Sequence, residues 1–463
     1  MSKKFYITTP IYYPNDVPHL GHAYTTIVAD VLVRYYRKKN YDVFFLTGTD
    51  EHGKKIQEIA ESRGKTPKKF VDDLIPEFKE AWKKLNIEYS RFIRTTDKDH
   101  EKVVKDVLQK VFDKGDIYLG NYEGLYCVGC EAYYTEKDLV DGCCPIHKKK
   151  VEKLKEESYF FKLSKYQKEL LKLYKKGFIF PSEKTKEIEN RVKEGLNDLS
   201  ISRTSFDWGI KLPFDKKHIT YVWFDALLNY YSGSKSHWPA NVHILGKDIF
   251  WFHAVYWPAM LMSAGIELPK KLAVHGFWTV NGEKMGKSVG NAINVDKLIS
   301  IAGVDSARYF LMRSIPFGED GDFSEKVLID RHNNELADKL GNLVSRVASL
   351  IEKYGTKKSK GDLVKKLDEK LINKLIESYE FDKALNEIFG FVDKCNEYVQ
   401  SNKPWESKDS SVLGELRDVI LKIADLLEPF IPESAEKIKL QFNTTKIKKG
   451  QILFNKIESN LSH

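Results

Sequence analysis

The chain has 463 residues, more than one hydrophobic core ordinarily serves, so two to four structural units are expected. Hydrophobic residues make up 42% and aromatic residues 13%, which excludes extended disorder, and no apolar run approaches the roughly 20 residues of a membrane span. Lys and Arg number 75 against 66 Asp and Glu, a net charge of +9 that suits a polyanionic partner, and the start from Met1 to Ile7 lacks a signal-peptide core, so a soluble, cytoplasmic protein without membrane contact is expected.

The opening reads as a β-α-β unit: an apolar run Phe5 to Thr9, a loop of turn residues, a helix from about Pro18 to Lys39, then the strand Val43 to Leu46. Parallel strands with a crossover helix predict an α/β fold with a Rossmann-like, doubly wound sheet. His19-Leu20-Gly21-His22 opens that helix just after Pro18. A helix N-terminus offers free N–H groups and partial positive charge, and Gly21 allows close approach, so a phosphate or nucleotide suits it; two surface histidines in a turn is the alternative. Gly48 to Lys54 approaches a Walker phosphate loop, but Lys55 stands where Ser or Thr should bind Mg²⁺, which argues against that class of NTPase.

An insertion over about 116–218 follows, and four of the five cysteines fall between Cys127 and Cys144. Clustering of this kind in a long unexported chain points to metal rather than disulfides. Cys127-x₂-Cys130, thirteen intervening residues, then Cys144-x₂-His147 supply three thiolates and an imidazole at spacings suited to a closed tetrahedral zinc site, hence one structural Zn²⁺ per chain. Cys143 is the rival donor, and Cys395 reads as a core residue. Strand-like stretches Ile219 to Phe224, Val242 to Leu245 and Leu272 to His275 predict the other half of the sheet. Beyond the last of them, Gly282 to Ser288 carries Lys284 and Lys287 in a glycine-rich stretch, ammonium groups suited to phosphates unless the segment is merely an exposed basic turn. From about Leu328 the pattern turns helical: Leu336, Leu340, Leu343, Val347, Leu350 and Ile351 recur at three- and four-residue steps, with Gly355 where a helix end wants it. Helices over about Leu363 to Tyr379, Asp382 to Gln400 and Val412 to Leu427 complete an all-α bundle.

These residues resemble the class I methionyl-tRNA synthetases. His19-Leu20-Gly21-His22 is similar to the family's HIGH motif, and Lys284-Met285-Gly286-Lys287-Ser288 to its KMSKS loop, with Gly286 in place of the usual Ser. Gly48 to Gly53, Asp198 to Arg203, Phe206 to Gly209, Val222 to Tyr230 and Gly246 to Met260 extend the resemblance from about Phe5 nearly to the C-terminus. It implies four segments: a first catalytic half (1–115), a connective insertion (116–218) with a zinc knuckle at about 121–160, a second catalytic half (219–327) and a helical anticodon-binding domain (328–463). The implied reaction joins L-methionine to ATP, with Mg²⁺, as methionyl-adenylate and then transfers methionine to tRNA(Met), initiator tRNA included.

By the same resemblance His19, Gly21 and His22, Gly246 and Asp248, and Lys284, Lys287 and Ser288 hold ATP, with His19, His22, Lys284 and Lys287 catalytic. Ile11, Tyr13, Trp223, Tyr230, Ile249, Phe252 and His253 would form the methionine pocket and Asp50 would hold the amino group. Aromatic walls suit a polarizable thioether. Cys144 is preferred to Cys143 because Cys144-Pro145-Ile146-His147 resembles the family's second knuckle. Asn342, Arg346 and Trp405 match its anticodon-reading residues; without the match they read as a solvated helix face and an exposed ring. Synthetases for leucine, isoleucine or valine carry an editing insertion larger than this one, and a cysteine-specific relative would hold zinc in its active site. The chain stops near Leu453 to Glu458, where some relatives continue into a dimerisation module, so a monomer is expected.

Overall fold

The structure, a computed structural model, describes residues 2–129, 132–134, 136–145, 148–280, 282–284, 291–359 and 361–458. Cys130, His147, Lys287, Ser288 and the Lys284 side chain lie outside what is described. The chain forms two compact units: one comprises residues 1–17, 40–80 and 89–274, the other 18–39, 81–88 and 275–463.

The first unit is built on a six-stranded sheet of β1 (Lys4–Tyr12), β2 (Asp42–Thr49), β3 (Arg91–Arg94), β4 (Ile179–Phe180), β5 (Val242–Gly246) and β6 (Leu272–His275), in the order β3-β2-β1-β5-β6-β4. β1 runs parallel to β2 and β5, β2 to β3, and β6 to β4. All of β5 and β6 is buried, which is why these strands read as mostly apolar rather than alternating, with His243 and His275 their polar members. The direction of winding reverses between β1 and β5, and ligands of such sheets sit beyond the carboxyl ends of the strands at that reversal. Glycine is required at Gly48, because a Cβ there would lie 1.9 Å from the Ile93 carbonyl oxygen on β3.

The expectation for Ile219 to Phe224 is corrected. Ile219–Thr220 pairs antiparallel with Ser202–Arg203 outside the main sheet, and Val222–Ala226 is a short helix. An apolar run of six residues fits a buried strand and a buried helical turn equally well. The edge strand β4 instead comes from the segment assigned to the insertion. Within that segment Ile117–Cys127 and Glu152–Phe161 form a long antiparallel pair, Ile117 opposite Phe161 and Tyr126 opposite Glu152.

The second unit contains α1 (Leu20–Lys38) and the helices of the C-terminal third. Asn342–Tyr354 ends at Gly355 (φ 73°), Phe381–Asn402 and Ser410–Leu427 follow, and Pro432–Phe442 is a further helix that periodicity did not single out. Leu336, Leu340, Leu343, Val347 and Ile351 are buried, as their spacing predicts. Arg308 locks α1 into this unit: its Nη2 pairs with Asp30 on α1 at 2.7 Å and also donates to the Pro429 carbonyl, while Nε and Nη1 donate to the Phe430 and Leu85 carbonyls. No helix among the described residues is long and apolar enough to cross a membrane.

Candidate active site

Within the second unit, α1 starts in an unusual way. His19 is the N-cap, and its Nδ1 accepts from the Gly21 N–H at 3.1 Å, while His22 Nδ1 accepts from the His19 N–H at 3.3 Å. This reciprocal arrangement is a capping box made by two imidazoles instead of Ser or Thr with Glu. Since each Nδ1 is an acceptor, each neutral ring carries its proton on Nε2. The rings stack with centroids 3.9 Å apart, and burial, reinforced by the repulsion that protonating both neighbouring rings would bring, holds His22 well below the usual imidazole range. Two uncharged N–H donors therefore stand side by side at a helix N-terminus.

The same unit carries the lysine-bearing segment. Trp278–Val280 and Glu283–Lys284 form a hairpin, with Lys284 opposite Thr279 and Gly282 at the turn with φ 74°. Asp322, which the sequence did not single out, braces it: one carboxylate oxygen accepts from the Gly282 N–H at 2.9 Å and the Thr279 hydroxyl at 2.7 Å. Downstream, the Leu20 N–H donates to the Ile293 carbonyl at 2.8 Å, and His19 bridges Asn294 backbone to backbone. The chain that leaves the lysine segment is thus fastened to the start of the histidine helix.

In the first unit the expected pocket residues gather at the carboxyl ends of β1 and β5. Trp223 and Phe252 stack at 3.7 Å with an interplanar angle of 2°, and Ile11, Ile249 and Tyr230 belong to the same core. Phe252–Tyr256 is wound as a wider π-type turn, a form that recurs at functional sites. His253 Nδ1 donates to the Ile249 carbonyl at 2.9 Å, so its Nε2 accepts the Tyr230 hydroxyl at 2.7 Å. Burial pushes His253 down to about 4 and the Tyr230 hydroxyl up, so both stay neutral. Tyr13 packs apart from this group, against the cluster of Ile56, Ala60, Phe70 and Val71, and its hydroxyl donates to the His52 carbonyl at 3.2 Å.

Asp50 is 8% exposed just beyond β2, its N–H donating to the Tyr12 carbonyl at 2.9 Å. Its neighbour Glu51 is fully buried and takes both Arg94 Nε (2.6 Å) and Nη2 (2.9 Å), with the Thr49 and Thr96 hydroxyls donating as well. That network holds the turn and was missed, since its arginine lies 43 residues away. Gly246 closes β5, and Asp248 is exposed beside it.

Cys127 and Cys144 are buried, and the Cys144 thiol lies 3.7 Å from the Tyr134 hydroxyl. Cys143 is half-buried, in backbone bridges to Val140 and Lys150. Among the described residues no three His, Cys, Asp or Glu side chains are arranged to hold a metal, and two of the expected ligands lie outside them. In the helical unit Asn342 and Arg346 stand one turn apart on Asn342–Tyr354; Arg346 Nη2 donates to Asn396 at 2.7 Å. Trp405 is 37% exposed, and its carbonyl accepts from Tyr354 at the other end of that helix.

Residues 5–153 and 137–348 match the family described as class I tRNA synthetases (M), and residues 364–459 match the anticodon-binding domain of tRNA ligases. A methionine–tRNA ligase from Caldanaerobacter subterraneus subsp. tengcongensis is 45% identical, aligned over 99% of this chain and 80% of its own length. One from Campylobacter jejuni is also 45% identical, over 95% of this chain and 74% of its own length. The crystal structure of Mycobacterium tuberculosis methionyl-tRNA synthetase bound by methionyl-adenylate superposes with a TM-score of 0.93 at 37% identity, covering 98% of this chain and 100% of that one.

Proposed function

This chain belongs to the class I methionyl-tRNA synthetases, and from that premise we propose a division of labour among its residues. The carboxylate of L-methionine attacks the α-phosphorus of ATP, the bond to pyrophosphate breaks, and methionyl-adenylate forms. A ribose hydroxyl at the 3′ end of tRNA(Met), the initiator included, then attacks the acyl carbon and AMP leaves. No protein nucleophile takes part, so catalysis is positioning plus stabilisation of phosphate charge.

His19 and His22 present their Nε2–H groups to the phosphates, and Gly21 lets the ligand approach the backbone. Gly246 and Asp248 receive the nucleoside. Lys284, Lys287 and Ser288 take the leaving phosphates, with Mg²⁺ arriving on ATP to neutralise charge. Asp50 binds the α-amino group, and Ile11, Tyr13, Trp223, Tyr230, Ile249, Phe252 and His253 enclose the thioether. The observation that carries this reading is the imidazole capping box fastened to Ile293 and Asn294, because it ties the paired donors to the chain that bears the lysines.

Cys127, Cys130, Cys144 and His147 hold one structural zinc, and the burial of Cys144 beside a half-buried Cys143 supports that choice of ligand. Asn342, Arg346 and Trp405 read the anticodon from the helical segment 328–463. The protein works as a cytoplasmic monomer, with the catalytic halves 1–115 and 219–327 flanking the insertion 116–218. Pyrophosphate exchange with each amino acid in turn tests the substrate; signal with leucine or cysteine in place of methionine overturns it. Lys287→Ala slows adenylate formation by roughly 10²- to 10⁴-fold, and exchange at the wild-type rate removes Lys287 from the mechanism. Metal analysis of the purified protein returns one zinc per chain; none disproves the knuckle.

A further inference from the structure

Behind the pocket in the first unit lies a carboxylate with no contact role in the scheme above. Asp225 is 1% exposed; one oxygen accepts from His52 Nδ1 at 2.6 Å and the other from His100 Nε2 at 2.7 Å. His100 Nδ1 is in turn hydrogen-bonded to the Ser232 hydroxyl at 2.7 Å. His52, His100 and Ser232 are themselves buried, at 5%, 0% and 8% exposure. Burial alone would raise the Asp225 carboxyl, but the charges and hydrogen bonds of the two imidazoles outweigh it and hold the group below the usual carboxylate range. A buried carboxylate is costly unless each oxygen is satisfied, so this network is fixed in geometry rather than loosely packed.

The spacing of its members along the chain is what gives it a meaning. His52 stands two residues after Asp50, Asp225 two after Trp223, and Ser232 two after Tyr230. The three turns that supply the amino-group carboxylate, the stacked indole and the buried phenol are each gripped two residues on by the same hydrogen-bonded chain. The fourth member, His100, comes from the helix Lys98–Asp113, which gives the pocket no residue and so serves as an outside anchor. Trp208 adds a wall, its ring edge-on to His52 at 5.3 Å.

We propose that His52, Asp225 and His100 are positioning residues for methionine, holding the Asp50 turn at a fixed distance from the turns that carry Trp223 and Tyr230. The amino group and the thioether of methionine are several bonds apart, so both are bound together only if that distance is kept. Misplacement of one turn by about 1 Å costs affinity out of proportion to the hydrogen bond lost. The inference rests on the assignment of Asp50, Trp223 and Tyr230 as methionine contacts.

The test compares His52→Ala with His52→Asn, whose amide nitrogen falls near the lost Nδ1, in methionine-dependent pyrophosphate exchange normalised by active-site titration. His52→Ala is expected to raise the methionine KM about tenfold while kcat and the ATP KM stay within about threefold, and His52→Asn to recover most of the affinity. A merely structural role would lower the titrated fraction of active enzyme and leave the methionine KM alone. An unchanged methionine KM, a parallel rise in the ATP KM, or no recovery in His52→Asn overturns the proposal. Should His52→Ala not accumulate, Ser232→Ala, which strips only the distal bond, is read on the same scale and is expected to give about a threefold rise; an unchanged KM there overturns it equally. Wild-type exchange with methionine and a raised KM in Asp50→Asn are the controls: if they fail, the parent assignment falls, and if they hold while His52→Ala is unaffected, only this inference falls.

Discussion

Neutral hydrogen-bonded side chains, not ion pairs, set the character of the candidate pocket. The Tyr230 hydroxyl satisfies His253 Nε2 where both residues are buried, so Tyr230→Phe strands a buried acceptor. That loss costs about 1–3 kcal/mol of stability, read as a lowered thermal midpoint, and it raises the methionine KM as the ring of His253 is freed. At this scale His19 and His22 were picked out by residue type and order, Trp223 and Phe252 only by the family resemblance, and the structure stacks each pair. What those residues do to the backbone was not legible, because histidine has no general standing as a helix cap. Nor were Glu51 and Asp225, whose partners lie 43 and 173 residues away; a buried carboxylate is indistinguishable in sequence from a surface one.

Among the secondary-structure elements, α1 is held by one ion pair with no exposure on either side, Arg308 to Asp30. Asp30 keeps Arg34 as a second partner at 2.8 Å, but Arg308→Met leaves the buried Leu85, Pro429 and Phe430 carbonyls without that donor and is expected to destabilise the protein by about 1–3 kcal/mol or more in denaturant melts. Wild-type stability would mean that water or another cation replaces the guanidinium. Gly48→Ala acts on a different contact: a methyl 1.9 Å from the Ile93 carbonyl forces β2 away from β3, and soluble yield and thermal midpoint fall together. The parallel strands were legible because strands buried on both faces are almost wholly apolar, as Val242 to Leu245 shows with His243 its one polar member. The same property misled at Ile219 to Phe224, where an apolar run covers a strand end and a helical turn. Pro432–Phe442 escaped notice because it is short and its start is marked only by Pro432 after Ile431.

At the scale of the molecule, charge and titration govern behaviour. A net charge of +9 opposite a polyanion predicts that the tRNA KM climbs steeply between about 50 and 200 mM salt while pyrophosphate exchange, which needs no tRNA, changes little. Equal salt sensitivity in both assays would locate the effect in ATP binding instead. Burial holds His22 and His243 well below the ordinary imidazole value and His253 at about 4. Their folded values are depressed, so the stability they confer is complete above about pH 6.5 and is lost as pH falls, since the unfolded chain takes up protons first. For His253 the loss is on the order of 3 kcal/mol between pH 6.5 and 4. The thermal midpoint should fall steadily across that window, and a rise there would show that one of these rings is charged in the fold. Of the overall organisation, the α/β core and the helical third were legible from periodicity, but the grouping of α1 with the C-terminal helices was not, because it depends on contacts such as Arg308 to Asp30 that span 278 residues.

The two-imidazole start of α1 has a consequence for how this sequence can drift. Nδ1 of His19 caps the helix, and an asparagine there would offer its amide oxygen to the same Gly21 N–H. Such a descendant would melt at the parental temperature and look intact by every measure of folding, yet it would have discarded one of the paired imidazoles. Selection for a well-folded protein is therefore blind at position 19, and only selection for the product of the reaction can keep the imidazole in place.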